Sequence, residues 1–165
     1  MMTAIRDFDL DLNLAKAANV PVLITAPHDF ALQVARVITA QQGKTPVLKV
    51  CAAATLPDVI RKASPAPGPD ADELVLVISD VHMLSEVGQA ALLRALDDPR
   101  RIGCCRIVAT SPVSLYELVR SGAFSSELFY RLNVIHIRGG SASDWASLST
   151  HYGSDWTPSR GFRSR

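Results

Sequence analysis

The chain has 165 residues, 48% of them hydrophobic and 20% charged, which is enough apolar material for one buried core and about one domain. Seventeen basic side chains against sixteen acidic ones leave a formal charge of +1, so no charge excess points to a nucleic-acid or membrane surface. Acidic residues lie early in the chain and no apolar run reaches the length of a membrane-spanning helix, so a cytoplasmic protein is expected.

Leu10 to Ala18 carries a weak helical pattern with Asp11 placed to cap it, and Val20 to Thr25 reads as the first strand, with Pro21 tolerated at its start. Ala26 to Phe30 forms a short turn. Asp29 is expected to cap a helix to about Gln42, with Phe30, Val34, Val37 and Ile38 on its buried face, and Gly43 and Pro46 mark the stop. Val47 to Val50 is a second strand, and Thr55 with Asp58 resembles a capping box opening a helix to about Lys62. Ser64 to Asp72 is proline-rich and linker-like.

Leu74 to Ile78 is an unbroken apolar run with no solvent face to alternate onto, the signature of a central parallel strand. Ser79 and Asp80 follow at its carboxyl end, the edge where open α/β sheets place ligands. Leu84, Val87, Ala91, Leu92, Ala95 and Leu96 then recur at helical spacing, with Ser85 as N-cap and Pro99 just past the end. Arg106 to Thr110 is a fourth strand. Ser114 and Glu117 open a helix to about Arg120, a further helix covers roughly Ser125 to Leu132, and Val134 to Ile137 is a fifth strand.

From Gly139 onward serine, glycine and arginine dominate, with Trp145 and Trp156 as large apolar residues; residues 139–165 read as a tail, poorly ordered or docked only locally, beside an α/β domain over 1–138. Alternating strands and helices call for right-handed crossovers and a three-layer α/β sandwich. The three cysteines, Cys51 and the adjacent Cys104 and Cys105, match neither a disulfide framework nor a metal spacing and read as reduced structural thiols, so no bound metal is expected.

Two segments carry a family resemblance. Gln89-Ala90-Ala91-Leu92-Leu93-Arg94-Ala95-Leu96 is similar to the Q-A-x-L-L-R-x-L helix that comes after the Walker B strand in bacterial enhancer-binding AAA+ proteins, the activators of sigma-54 RNA polymerase. Gly122 to Val134, with Phe129-Tyr130-Arg131-Leu132-Asn133-Val134, resembles their G-x-F-R-x-D-L-Y-Y-R-L-N-V. The resemblance spans about Asp7 to Ile137 and implies an AAA+ core with a five-stranded parallel sheet. The helical lid of such proteins is not recognisable in residues 139–165.

The same resemblance implies that the chemical positions are replaced. A phosphate loop needs glycines to turn amides inward, a lysine for the β and γ phosphates and a hydroxyl for magnesium. In its place stands Ala26-Pro27-His28-Asp29-Phe30-Ala31-Leu32-Gln33, with no glycine and no lysine. Pro27 removes an amide donor. Asp29 opposes a phosphate: two unit charges ~5 Å apart at an effective dielectric near 20 repel by roughly 3 kcal/mol. The magnesium-binding and catalytic carboxylates fall on Ser79 and Asp80, a weak magnesium ligand and a carboxylate one methylene short. The sensor asparagine falls on Pro112. Of two arginines that reach a neighbouring subunit, the first position is Ser125 and the second Arg131.

The G-A-F-T-G-A loop that pushes on sigma-54 has no counterpart between Val50 and Leu74. Three readings are open on these residues. One is a non-catalytic, nucleotide-independent regulatory or interaction module, acting through Arg131 and Tyr130 on a protein partner, itself or an intact AAA+ relative, without direct nucleic-acid contact. The second is an atypical ATPase using ATP and magnesium. The third is a structural subunit of a larger assembly.

Overall fold

The computed structural model describes residues 8–40, 47–58, 74–98 and 106–152. Leu74–Ser79 (β3) is an interior strand of the sheet, and it is apolar at successive positions because both faces are covered. Val75 and Val77 enter the core on one side of the sheet, Leu76 and Ile78 the core on the other, as the two-residue period of a strand requires. With Val22–Thr25 (β1), Val47–Ala52 (β2), Arg106–Ser111 (β4) and Ile135–Arg138 (β5), it forms a parallel five-stranded sheet in the order β2-β3-β4-β1-β5. A row of β-branched residues crosses four strands in register: Val77 is opposite Val108, Val108 opposite Val22, and Val22 opposite Ile135.

Helices cover both faces. Phe8–Ala17 (α1), His28–Thr39 (α2) and Ala142–Tyr152 (α6) bury Leu12, Phe30, Val34, Ile38 and Leu148 against Val22, Ile24, Val75 and Val77. On the other side Glu86–Leu96 (α3), Leu115–Arg120 (α4) and Ser126–Leu132 (α5) bury Leu92, Leu115, Leu128 and Leu132 against Leu23, Leu76 and Ile78. Each such side chain contributes about 1.5–3 kcal/mol on burial. Three serines begin the second set: Ser85, Ser114 and Ser125 accept hydrogen bonds from the amides of Gly88, Glu117 and Leu128.

Several local expectations are corrected. Asp29 does not cap α2: the N-cap is Pro27, whose backbone (φ −53°, ψ 145°) already has the extended form a cap needs, so the helix starts two residues early and Asp29 lies exposed in its first turn. At the other end α2 stops at Thr39, not Gln42; the Thr39 hydroxyl donates to Ala35 O at 2.7 Å and Ala40 is extended. Asp11 lies inside α1 rather than before it. Val87, counted with the packed face of α3, is 77% exposed, because Ser85 sets the helix so that Gly88, Gln89, Leu92 and Ala95 face inward. Val134 is likewise exposed and β5 starts at Ile135.

The segment after β5 adds a further helix. Residues 142–152 are helical, and Leu148 is buried in the core shared with α1 and α2 while Trp145 packs against it. Leu148 and Trp145, three positions apart, share one helix face, enough apolar surface to dock a segment whose composition is otherwise that of a loop. The Ser64–Asp72 linker, the rest of the helix expected to Lys62, Pro99, Cys104, Cys105 and Trp156 lie outside the described residues.

One buried charge ties the α1–α2 face together. Arg106, at the start of β4 and 5% exposed, donates to Ile38 O at 3.1 Å, to Ala18 O at 2.9 Å and to Ala15 O. These carbonyls end α1 and α2, where the helices leave acceptors unfilled and present partial negative charge. An Arg106→Met variant keeps the stem and removes the donors. It is expected to lose about 3 kcal/mol in urea unfolding, a fall in Tm of roughly 10 °C for a domain of this size. An unchanged midpoint would show that the carbonyls find water instead.

Candidate functional site

The carboxyl ends of the parallel strands converge on one edge, where Thr25, Ser79, Ser111 and Arg138 each lead into a turn. After β1, the Ala26 amide donates to Ser111 O at 3.1 Å and the Ala31 amide to Pro27 O at 2.9 Å, so the turn to α2 is tight. Pro27, His28 and Asp29 are exposed, Ala26, Phe30 and Ala31 are buried, and Leu32 is half-buried. Pro27 contributes no N–H, and the only side chain of the turn able to carry positive charge is His28.

After β3, Ser79 is buried within the strand and Asp80 turns out of it with φ 54° and ψ 46°. Asp80 is the one non-glycine residue with positive φ among those described. An aspartate accepts this left-handed geometry at less cost than a branched residue, though a strain of about 1 kcal/mol remains. Its amide donates to Thr110 Oγ1 at 3.4 Å, and its Oδ2 lies 3.6 Å from His28 Nδ1. The fold thus brings together His28 from the turn after β1 and Asp80 from the turn after β3. Both are open to solvent, 48% and 38% exposed, and such a pair contributes less than about 1 kcal/mol. Among the described residues no group of three or more His, Cys, Asp or Glu is placed to hold a metal ion. Pro112, at the end of β4, is exposed.

The segment expected to meet a partner sits elsewhere. Gln89 on α3 uses its whole amide: Nε2 donates to Leu84 O at 3.0 Å and Ala123 O at 3.3 Å, and Oε1 accepts from the Ser125 amide at 2.7 Å. This network dictates the amide orientation and pins the start of α5 to the start of α3. At the other ends of the same two helices the Arg131 guanidinium pairs with the Asp97 carboxylate. Arg131 is therefore engaged within its own chain, while Tyr130 beside it is 71% exposed and rests edge-on against Phe129, ring centroids 5.4 Å apart. The Tyr116 ring centroid lies 6.4 Å from that of Phe129 and Tyr116 is also exposed, as is Val134. Sequence reasoning placed Tyr130 outward; it offered no signal for Asp97 as the partner of Arg131, nor for Thr110 beneath Asp80.

A parallel sheet in this order, with helices on both faces, places the chain in the α/β class with an AAA+ or P-loop-like core. Residues 2–138 match the model of the family described as the sigma-54 interaction domain, and the chain belongs to that family. It is similar to the regulatory protein AtoC of Escherichia coli, 38% identical over 76 residues that make up 41% of this chain and 16% of AtoC. Its fold is similar to that of NtrX from Brucella abortus in complex with ADP, with a TM-score of 0.65 at 21% identity, over 92% of this chain and 40% of that one. It also resembles the P-loop NTPase domain of a sigma-54 transport activator from E. coli, with a TM-score of 0.56 at 18% identity, over 82% of this chain and 93% of that one. The chain therefore spans only a fraction of the length of AtoC and of NtrX.

Replacing Gln89 by Leu keeps the volume but strips three backbone groups of their partner. The variant is expected to lose about 2 kcal/mol of stability and to speed amide exchange at Ser125 and Leu128 ahead of the sheet. Exchange that rises equally in β3 and in α5 would contradict a local role.

Proposed function

We propose that this domain is a non-catalytic member of its family, a regulatory or protein-interaction module that works without nucleotide turnover in sigma-54-linked transcription. The observation that carries this reading is the turn Ala26–Asp29, which has no glycine, no lysine, a proline where an amide donor is needed and an exposed carboxylate. Ser79, buried inside β3, and Pro112 at the end of β4 support it, since neither supplies a charge to a metal–phosphate group. Asp80 is turned toward His28, an arrangement that partners a carboxylate with the chain's own imidazole.

One observation favours a second reading: the matched fold of NtrX has been solved with ADP and with ATP. Under it, an atypical loop would still hold a nucleotide. Thermal unfolding separates the two. A ligand at ~100 times its Kd stabilises the native state by about 2.7 kcal/mol, or several degrees at this size. We expect no shift at millimolar ATP and magnesium, and phosphate release equal to that of an Asp80→Ala control. A saturable shift, or release that the control lacks, would establish the nucleotide-binding reading.

The partner in the favoured reading is another protein, either a second copy or an intact AAA+ relative, and the exposed aromatic surface of α5 supports it. Tyrosine and arginine dominate interface energetics when a partner buries them. Tyr130→Asp alters the outward residue without touching the Asp97 pair, and Arg131→Glu breaks that pair. Tyr130→Asp is expected to change the assembly state in sedimentation and the proteins captured from native lysate, with circular dichroism unaltered. Sedimentation and capture unchanged in both variants would remove this surface from consideration.

A further inference from the structure

Where β5 leaves the sheet, the chain crosses directly over the turn after β1. The Gly139 amide donates to Thr25 O at 3.3 Å, at the carboxyl end of β1. A Cβ at Gly139 would stand 2.5 Å from Phe30 Cε1 and 3.1 Å from Phe8 Cε2. At Gly140, where φ is +117°, it would stand 2.7 Å from Pro27 Cδ. A side chain at either position would force its neighbours to shift, the Phe30 and Phe8 rings at Gly139 and the Pro27 ring at Gly140, where the positive φ also favours glycine. The segment then locks into a helix. Ser141 Oγ accepts from the Asp144 amide at 3.2 Å and Asp144 Oδ2 accepts from the Ser141 amide at 3.0 Å, a reciprocal cap at the start of α6.

Beyond the cap, Trp145 meets Phe30 edge-on with ring centroids 4.8 Å apart, and Phe8 of α1 packs on Phe30 at 5.7 Å. Phe30 is fully buried although it is only the third residue of α2 and its three predecessors are exposed. The aromatic contact and the glycine crossing thus bear on the same few residues, Pro27 to Phe30, from one direction.

We propose that residues 139–148 form a strap that holds the turn between β1 and α2 closed, a latch whose release loosens the first turn of α2 while leaving the sheet intact. The latch deepens the reading of this edge as nucleotide-independent, because a turn pinned from above has no freedom to rearrange around a phosphate group. Held shut, it keeps His28 within reach of Asp80. Released, it exposes the apolar rings of Phe8 and Phe30 and frees His28 to leave.

The test uses the full chain with Trp156→Phe, so that Trp145 is its only tryptophan. Gly139→Ala places a methyl group against Phe30, and Trp145→Ala removes the ring without adding bulk. In Gly139→Ala, Trp145 emission is expected to shift to the red and to become open to acrylamide. In both variants, amide exchange at Ala31 to Val34 is expected to rise roughly tenfold while exchange in β3 and β4 stays at the wild-type rate. Trp145 quenched as in wild type in Gly139→Ala would overturn the strap. So would loss of α6 protection without any change at α2, which would make the helix a decoration, or equal acceleration in β4, which would make it part of the common core. None of these outcomes depends on ATP binding, so the latch and the nucleotide-independent reading stand or fall separately.

Discussion

The guanidinium of Arg106 is the point from which the rest of the α1–α2 face is set. It reaches carbonyls of Ala15, Ala18 and Ile38 from within the first residue of β4, and so fixes where two helices end relative to the strand beneath them. A charge this deeply buried is tolerable only when its donors are used, and helix C-termini offer acceptors that the helices themselves leave empty. With the C-terminal ends of α1 and α2 held there, their N-terminal ends come to the carboxyl edge of the sheet. At that edge the second attachment is apolar: Phe8 packs tilted on Phe30, and Trp145 meets Phe30 edge-on. Hydrogen bonds thus brace the pair at one end and aromatic packing at the other.

The opposite face is braced in the same two-point manner with different chemistry. Gln89 joins the start of α3 to the start of α5, and Asp97 with Arg131 joins their ends. Helix α5 is only seven residues long and would not persist alone, since helices this short cost more to nucleate than their hydrogen bonds return. Its orientation is therefore borrowed from α3. Gln89 and Arg131, two of the residues through which the family resemblance is recognised, have structural roles in this chain that need no nucleotide. What faces outward as a result is Tyr130.

Between these two braced faces lies an edge with unusual electrostatics for its class. The turn after β1 and the turn after β3 present Asp29, Asp80 and His28, and the His28 imidazole faces the Asp80 carboxylate across them. Asp80 reaches that position through left-handed backbone geometry, so its placement is set by the main chain and held by the Thr110 hydroxyl rather than by rotamer choice alone. The domain joins a family described by its interaction with sigma-54, yet its turn after β1 carries a proline and an exposed aspartate where the phosphate chemistry of a P-loop calls for amide donors and a lysine.

The sequence by itself determined the alternation of strands and helices, the double-sided burial of Val75 to Ile78, the serine caps at Ser85 and Ser114, and the make-up of the turn after β1. All of these are encoded in neighbouring residues, because side-chain period and capping act over one or two turns of chain. The tertiary structure alone decided the rest. Val87 lies outside although its spacing is helical, since only the face set by Gln89 and Leu92 meets the sheet. Arg131 turns to Asp97, His28 meets Asp80, and a serine- and glycine-rich segment docks as α6 over Phe30. Each of these joins residues far apart in the chain, and the strand order β2-β3-β4-β1-β5 is what places them side by side. No local pattern records that order, because it depends on how the whole set of apolar faces can be buried at once.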